Sequence, residues 1–190
     1  MARHACILGP AAAAAAWIVI GVSWALNSGW FVFTEHAFSD LGGGAARYPW
    51  VYNYGLILVG LMVVLYSLCP YKVSLNKIEA FGSGLLLTAG IFLSLIGVYP
   101  AGTRPHVFVS TWFFVQMDMA LIALSLGAYK VRRSSVSLAS LLISLVAFPV
   151  YILVGLTAGW PSAAVAEAYG IVVIDVVVLL LTLDYLGRRV

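Results

Sequence analysis

Six apolar runs dominate this chain, each near the ~20 residues that a helix needs to cross the hydrocarbon of a bilayer. They cover residues 11–33, 50–69, 80–98, 107–129, 136–158 and 164–186. Between them lie short breaks that hold the Pro, Gly and charged residues: "SDLGGGAARYP", "CPYKVSLNK", "YPAGTRPH", "KVRRSS" and "GWPS". The runs are too long for barrel strands and do not alternate, so a closed β-barrel is excluded. In lipid each segment must satisfy its own backbone N–H and C=O groups, which leaves the helix. The expected fold is all-α: a polytopic integral membrane protein, a six-transmembrane-helix bundle forming one domain over residues 1–190. Composition removes the soluble alternative. The chain is 63% hydrophobic and 9% charged, against about 45–50% and about 25% in soluble domains.

The charges that remain set an orientation. Arg3, Lys72, Lys77, Lys130, Arg132, Arg133, Arg188 and Arg189 fall on one side of the six spans, and only Arg47 and Arg104 on the other. The positive-inside rule then places both termini in the cytoplasm of a cell-membrane protein, with the first, third and fifth loops outside. Trp30, Tyr48, Trp50, Tyr52, Tyr99 and Trp160 cluster near that outer boundary, as an aromatic belt would. The first run follows a short basic start, "MARH", but is longer than a cleavable signal core, so it is expected to stay as the first helix. No basic stripe interleaved with aromatics suggests nucleic acid. Cys6 and Cys69 both map to the cytoplasmic side, where a disulfide is not expected, and they are too few for a structural zinc site.

Two acids lie inside the spans. Asp118 is about 18 Å into the fourth run from the outer face and Asp175 about 16 Å into the sixth, at 1.5 Å per residue. A lone carboxylate there costs on the order of 3 kcal/mol and usually marks function. Either acid could instead tie helices together by a hydrogen bond to Gln116, Tyr169 or a serine. Glu79, three residues after Asn76, reads as part of a helix cap. Asp184 and Arg188 have the spacing of an i,i+4 pair. Glu167 either complements a helix N-terminus or closes the outer site.

That outer site is suggested by "TEHAFSDLGGG" and "YPAGTRPH". Together they place Glu35, His36, Ser39, Asp40, Arg104 and His106 on one face, with Ser110 just beyond. Imidazole with carboxylate is zinc chemistry, which makes His36, His106 and Asp40 candidates for a divalent metal. Histidine with Ser39 and Asp40 is also the material of a nucleophilic site. Neither HExxH nor GxSxG is present, however. "SDLGGG" could equally be a capping turn whose glycines permit positive φ.

"FSDLGGG", "WVYNYGLILVG" and "GVYPAGTRPHVFVSTWFF" resemble a prokaryotic six-helix membrane family, domain of unknown function family 998. That family is similar to the Frag/DRAM/Sfk group. The resemblance implies an outer motif at Ser39, Asp40, Leu41 and Gly42, an asparagine at Asn53 and a histidine at His106. Phe38 stands where the family often has isoleucine, and the last two helices match no motif. The relatives' link to glycolipid-anchor remodelling, trafficking and stress implies lipids as partners.

Three functions follow as expectations. In the first, Asp40, His106 and Ser39 bind or modify a lipid or glycolipid head group, with Asn53, Glu35, His36 and Glu167 lining the site and Arg104 holding a phosphate. In the second, Asp118 and Asp175 form the mid-membrane site of a small-solute or proton-coupled transporter, which in so short a chain requires a homo-oligomer. In the third, the protein is a scaffold or subunit without enzymatic activity. The sequence leaves open whether it is an enzyme.

Overall fold

The computed structural model describes residues 2–188, and side chains from Ala5 onward. Arg3 and Arg189, used above for orientation, therefore lie outside the described side chains. Six helices follow one another: α1 (Ala2–Leu26), α2 (Pro49–Lys72), α3 (Lys77–Val98), α4 (His106–Arg132), α5 (Ser135–Thr157) and α6 (Ala163–Leu186). All six are long and apolar enough to cross a membrane. One short 3-10 turn, Phe38–Gly42, lies between α1 and α2. The described chain has no strand. Each helix packs on the next, and α6 returns to both α1 and α4.

Lipid as solvent explains the distribution of side chains. Leu58, Leu61, Phe81 and Leu156 point outward and are exposed, as a hydrocarbon environment allows. Inside, close approach of backbones replaces bulky packing. A Cβ on Gly90 would lie 2.8 Å from the Val64 amide nitrogen and 2.9 Å from the Gly60 carbonyl oxygen, so α2 and α3 cross with their backbones nearly touching. Helix starts are capped by side chains: Asn76 accepts from the Ile78 and Glu79 amides, Ser134 from Ser137 and Ser162 from Val165.

The first helix departs from the apolar run. It begins at Ala2 and ends at Leu26, rather than spanning 11–33. Asn27 stops it. Its side-chain nitrogen donates to Ser23 O at 2.8 Å and its oxygen accepts from Arg47 N at 2.6 Å, which turns the chain. Residues 28–36 then fold back as turns, and their aromatic rings pack inward. Trp24, Phe31, Phe33 and Phe38 form one cluster with ring centroids 5.3–6.3 Å apart. These rings made the run look continuous.

At the end of the bundle that holds the chain termini, Cys6 and Cys69 are joined by a disulfide, with Cα atoms 5.0 Å apart. This corrects the expectation of two separate thiols. That expectation rested on compartment alone, whereas α1 and α2 run antiparallel and bring the two residues together.

Beside the disulfide is a buried ion cluster. Arg188, 4% exposed, bonds Glu79, 0% exposed, through Nη2. The same nitrogen reaches Asp184 Oδ2 at 3.0 Å, and Nη1 donates to Val73 O at 3.0 Å. Burial opposes the guanidinium charge, but the hydrogen bond and charge of Glu79 outweigh it, and the pKa stands above the ordinary arginine value. The i,i+4 pair of Asp184 and Arg188 is present as its spacing suggested. Glu79 also completes its cap, accepting from Leu75 N at 2.8 Å.

Candidate functional site

The opposite end, here the rim, is formed by the 3-10 turn and the α3–α4 and α5–α6 connections. Loop one docks there onto the start of α6. Ala164 N donates to His36 O at 2.9 Å, Ser162 Oγ to Phe33 O at 2.6 Å, and Phe38 N to Glu167 Oε2 at 2.7 Å. Asp40 Oδ2 accepts from the neighbouring amide, Ala37 N, at 2.8 Å. Two carboxylates thus hold two consecutive peptide groups and pin the turn in place.

The glycines of "SDLGGG" serve a different purpose from the one expected. None of the three has positive φ; the glycines that do are Gly102 and Gly159. Gly42 is required by proximity. A Cβ there would overlap the Asn53 side-chain oxygen and lie 2.8 Å from Tyr52 Cδ1. Asn53 Nδ2 donates to Gly42 O at 3.0 Å, so Asn53 fastens the turn to α2.

His106 opens α4 and is buried. Its Nδ1 lies 2.8 Å from Tyr99 O. A carbonyl only accepts, so Nδ1 carries the proton, and in the neutral ring Nε2 is an acceptor. Asp40 and His106 therefore do not pair: one closes its own turn and the other holds the end of α3. Ser39, His106 and Asp40 form no relay of the Ser–His–Asp kind. His36 is packed against Trp30 and Phe31, and its Nδ1 accepts from Val32 N at 3.0 Å. Among the described residues no three His, Cys, Asp or Glu side chains converge as a metal group. His36, His106 and Asp40 are each committed to nearby backbone instead. Glu35 and Arg104 are exposed on the rim surface.

What the rim does cover is a narrow cavity of about 100 Å³. Its upper wall carries Ser39, Tyr52, His106, Ser110 and Glu167. Below them it is apolar except for Asp175, running between α1, α2, α3, α4 and α6 past Leu56, Ile96 and Phe113 to Gly9 and Tyr66. Ala12, Ala13 and Ala16 of α1 leave this space open. Tyr52, expected in the aromatic belt, is buried in this wall. Neither its hydroxyl nor that of Ser39 bonds a described residue. His106 Nε2 and Glu167 Oε1 likewise have no hydrogen-bond partner among the described residues, and all four residues line the space.

A second, larger cavity of about 440 Å³ lies between α4, α5 and α6. Glu167 and Ser110 line both cavities. The two membrane acids are divided between them: Asp175 borders the narrow cavity and Asp118 the larger one. Asp175 Oδ2 accepts from Trp17 Nε1 at 2.8 Å, which ties α6 to α1. Similar depth did not bring the two acids together, because they point to different sides of α6.

No curated protein and no solved structure matches this chain. The model of a family described as "Protein of unknown function (DUF998)" matches residues 10–184, and the chain belongs to that family.

Proposed function

We propose that this chain, a member of a six-helix family to which no activity is assigned, holds one single-chain amphiphile in the narrow cavity. The tail occupies the apolar shaft and the head lies at the rim. The observation that carries this reading is the amphipathic wall: unpartnered polar groups at one end, and alanine, leucine and phenylalanine below, where the one acid, Asp175, is already bonded by Trp17. Its chemistry favours a neutral, hydroxyl-bearing head of the glycolipid kind. Ser39, Tyr52, His106 and Glu167 offer hydroxyls, an imidazole acceptor and a carboxylate, and no Lys or Arg lines the space. Arg104, expected to hold a phosphate, lies exposed away from it. Binding is the function proposed; the absence of an Asp40–His106 pair argues against a triad hydrolase.

The test is retention of lipid by the full chain in nanodiscs, read by native mass spectrometry. The wild type is expected to carry one lipid per chain. His106→Ala removes one hydrogen bond, and about tenfold weaker retention corresponds to about 1.4 kcal/mol. Ala16→Phe fills the shaft and should abolish retention. Undiminished lipid in a folded Ala16→Phe variant would sink the proposal.

The rim is proposed to face outward. The basic residues at the other end support this. The Cys6–Cys69 disulfide opposes it, since disulfides persist in oxidising compartments. An exposed Glu35→Cys variant decides the matter. In intact cells it should be labelled by a membrane-impermeant maleimide, and labelling only after lysis would reverse the orientation.

A further inference from the structure

We propose that the larger cavity, between α4, α5 and α6, is a second binding site and takes a lipophilic organic cation against Asp118. This site adjoins the amphiphile cavity, with which it shares Ser110, Phe114, Glu167 and Ile174, but Asp118 lines only the larger one. Three observations converge there.

The first is the state of Asp118. None of the partners that could have made it a plain helix tie bonds it, and the hydroxyls of Tyr169 and Ser144 donate elsewhere. Gln116 Oε1 accepts from Thr88 Oγ1 at 3.2 Å, and Tyr169 donates its hydroxyl to Ala147 O at 2.9 Å. Ser144 donates to Ser140 O at 2.8 Å. Asp118 makes no hydrogen bond to a described residue. Its counterpart Asp175, by contrast, is satisfied by Trp17. Of the two acids, only Asp175 has a hydrogen-bond partner among the described residues.

The second is size. About 440 Å³ is within the range of small-molecule sites, and it opens beside α5, whose Phe148 and Tyr151 are exposed. A ligand dissolved in the bilayer can therefore enter from the side.

The third is the sign and shape of the lining. Phe114, Phe148, Tyr151 and Tyr169 surround the space, Asp118 and Glu167 supply the charge, and no Lys or Arg lines it. Aromatic faces beside carboxylates attract large, weakly hydrated cations and disfavour anions of the same size. An acyl chain would fill such a space too, but would leave Asp118 without a partner.

The probe is tetraphenylphosphonium, with tetraphenylborate as an anion of equal size. Equilibrium dialysis on the full chain in nanodiscs, with empty nanodiscs subtracted, should give saturable binding of the cation and none of the anion. Asp118→Asn should weaken cation binding at least tenfold. Phe148→Ala, a change at an exposed wall, should weaken it severalfold and leave the melting temperature unchanged. Ala16→Phe, which fills the other cavity, should not affect it. Equal binding of cation and anion would overturn the proposal, as would full cation affinity in Asp118→Asn. If Asp118→Asn fails to fold, Phe148→Ala decides, and unaltered affinity there refutes the site. Loss of the cation in Ala16→Phe alone would assign it to the amphiphile cavity and refute this one.

Discussion

Arg188→Met is expected to destabilise the protein by about 3–5 kcal/mol, the cost of leaving buried charge without its partner. Glu79 would remain inside the bundle with no counter-charge, and Asp184 would keep only the partly exposed Arg132, 3.8 Å away. The Val73 carbonyl would lose a donor as well. Four elements meet at this residue: the ends of α2 and α6, the start of α3, and α4 through Arg132, whose Nη1 reaches Asp184 O at 3.1 Å. Chemical denaturation in detergent measures the effect. The triple variant Glu79→Gln, Asp184→Asn, Arg188→Met should recover most of the loss, because replacing a buried ion group entirely is often near neutral. If the single variant melts like the wild type, the cluster does not hold this end together.

Gly42→Ala is expected to have the largest effect at the rim. The added methyl meets the Asn53 amide and the Tyr52 ring, the latter at 2.8 Å. Overpacking of this kind typically costs 1–3 kcal/mol, so a drop of about 2 kcal/mol is anticipated. The clash is relieved by turning the Asn53 amide away, which breaks its hydrogen bond to Gly42 O, or by lifting the turn off α2, which also withdraws Ser39 from the cavity. Lipid retention should therefore fall by more than the stability change would suggest. Gly44→Ala is the control: nothing lies within 4 Å of a Cβ there, and both readouts should stay at wild-type values. Equal effects at the two positions would mean that the turn is not pressed against α2.

Local signals carried over well where one stretch of chain contains all the partners. Asn76 and Glu79 cap α3, and Asp184 meets Arg188 one turn on, as their spacing implied. Five spans begin and end within a few residues of their apolar runs. The remaining one, the first, departs at a point where hydrophobicity has two meanings. Phe31 and Phe33 are apolar because they pack inward under the rim, not because they face lipid, and a hydropathy pattern does not distinguish these. The polar rim residues were legible as a group but not in their roles. Asp40 and His106 are close to their own backbone, and short-range hydrogen bonds took them first.

The sequence by itself determined a six-span helical membrane protein, since a backbone in lipid has no other way to satisfy its polar groups over so many apolar residues. It also determined that two acids stand about halfway along their helices, because position along a helix is only a count of residues. The tertiary structure decided which groups meet: Glu79 with Arg188 across 109 residues, Cys6 with Cys69 across 63, and Asp118 with Asp175 not at all. Depth is fixed by rise along the axis, whereas direction depends on how each helix is rotated against its neighbours, and that rotation is set by packing around the whole bundle.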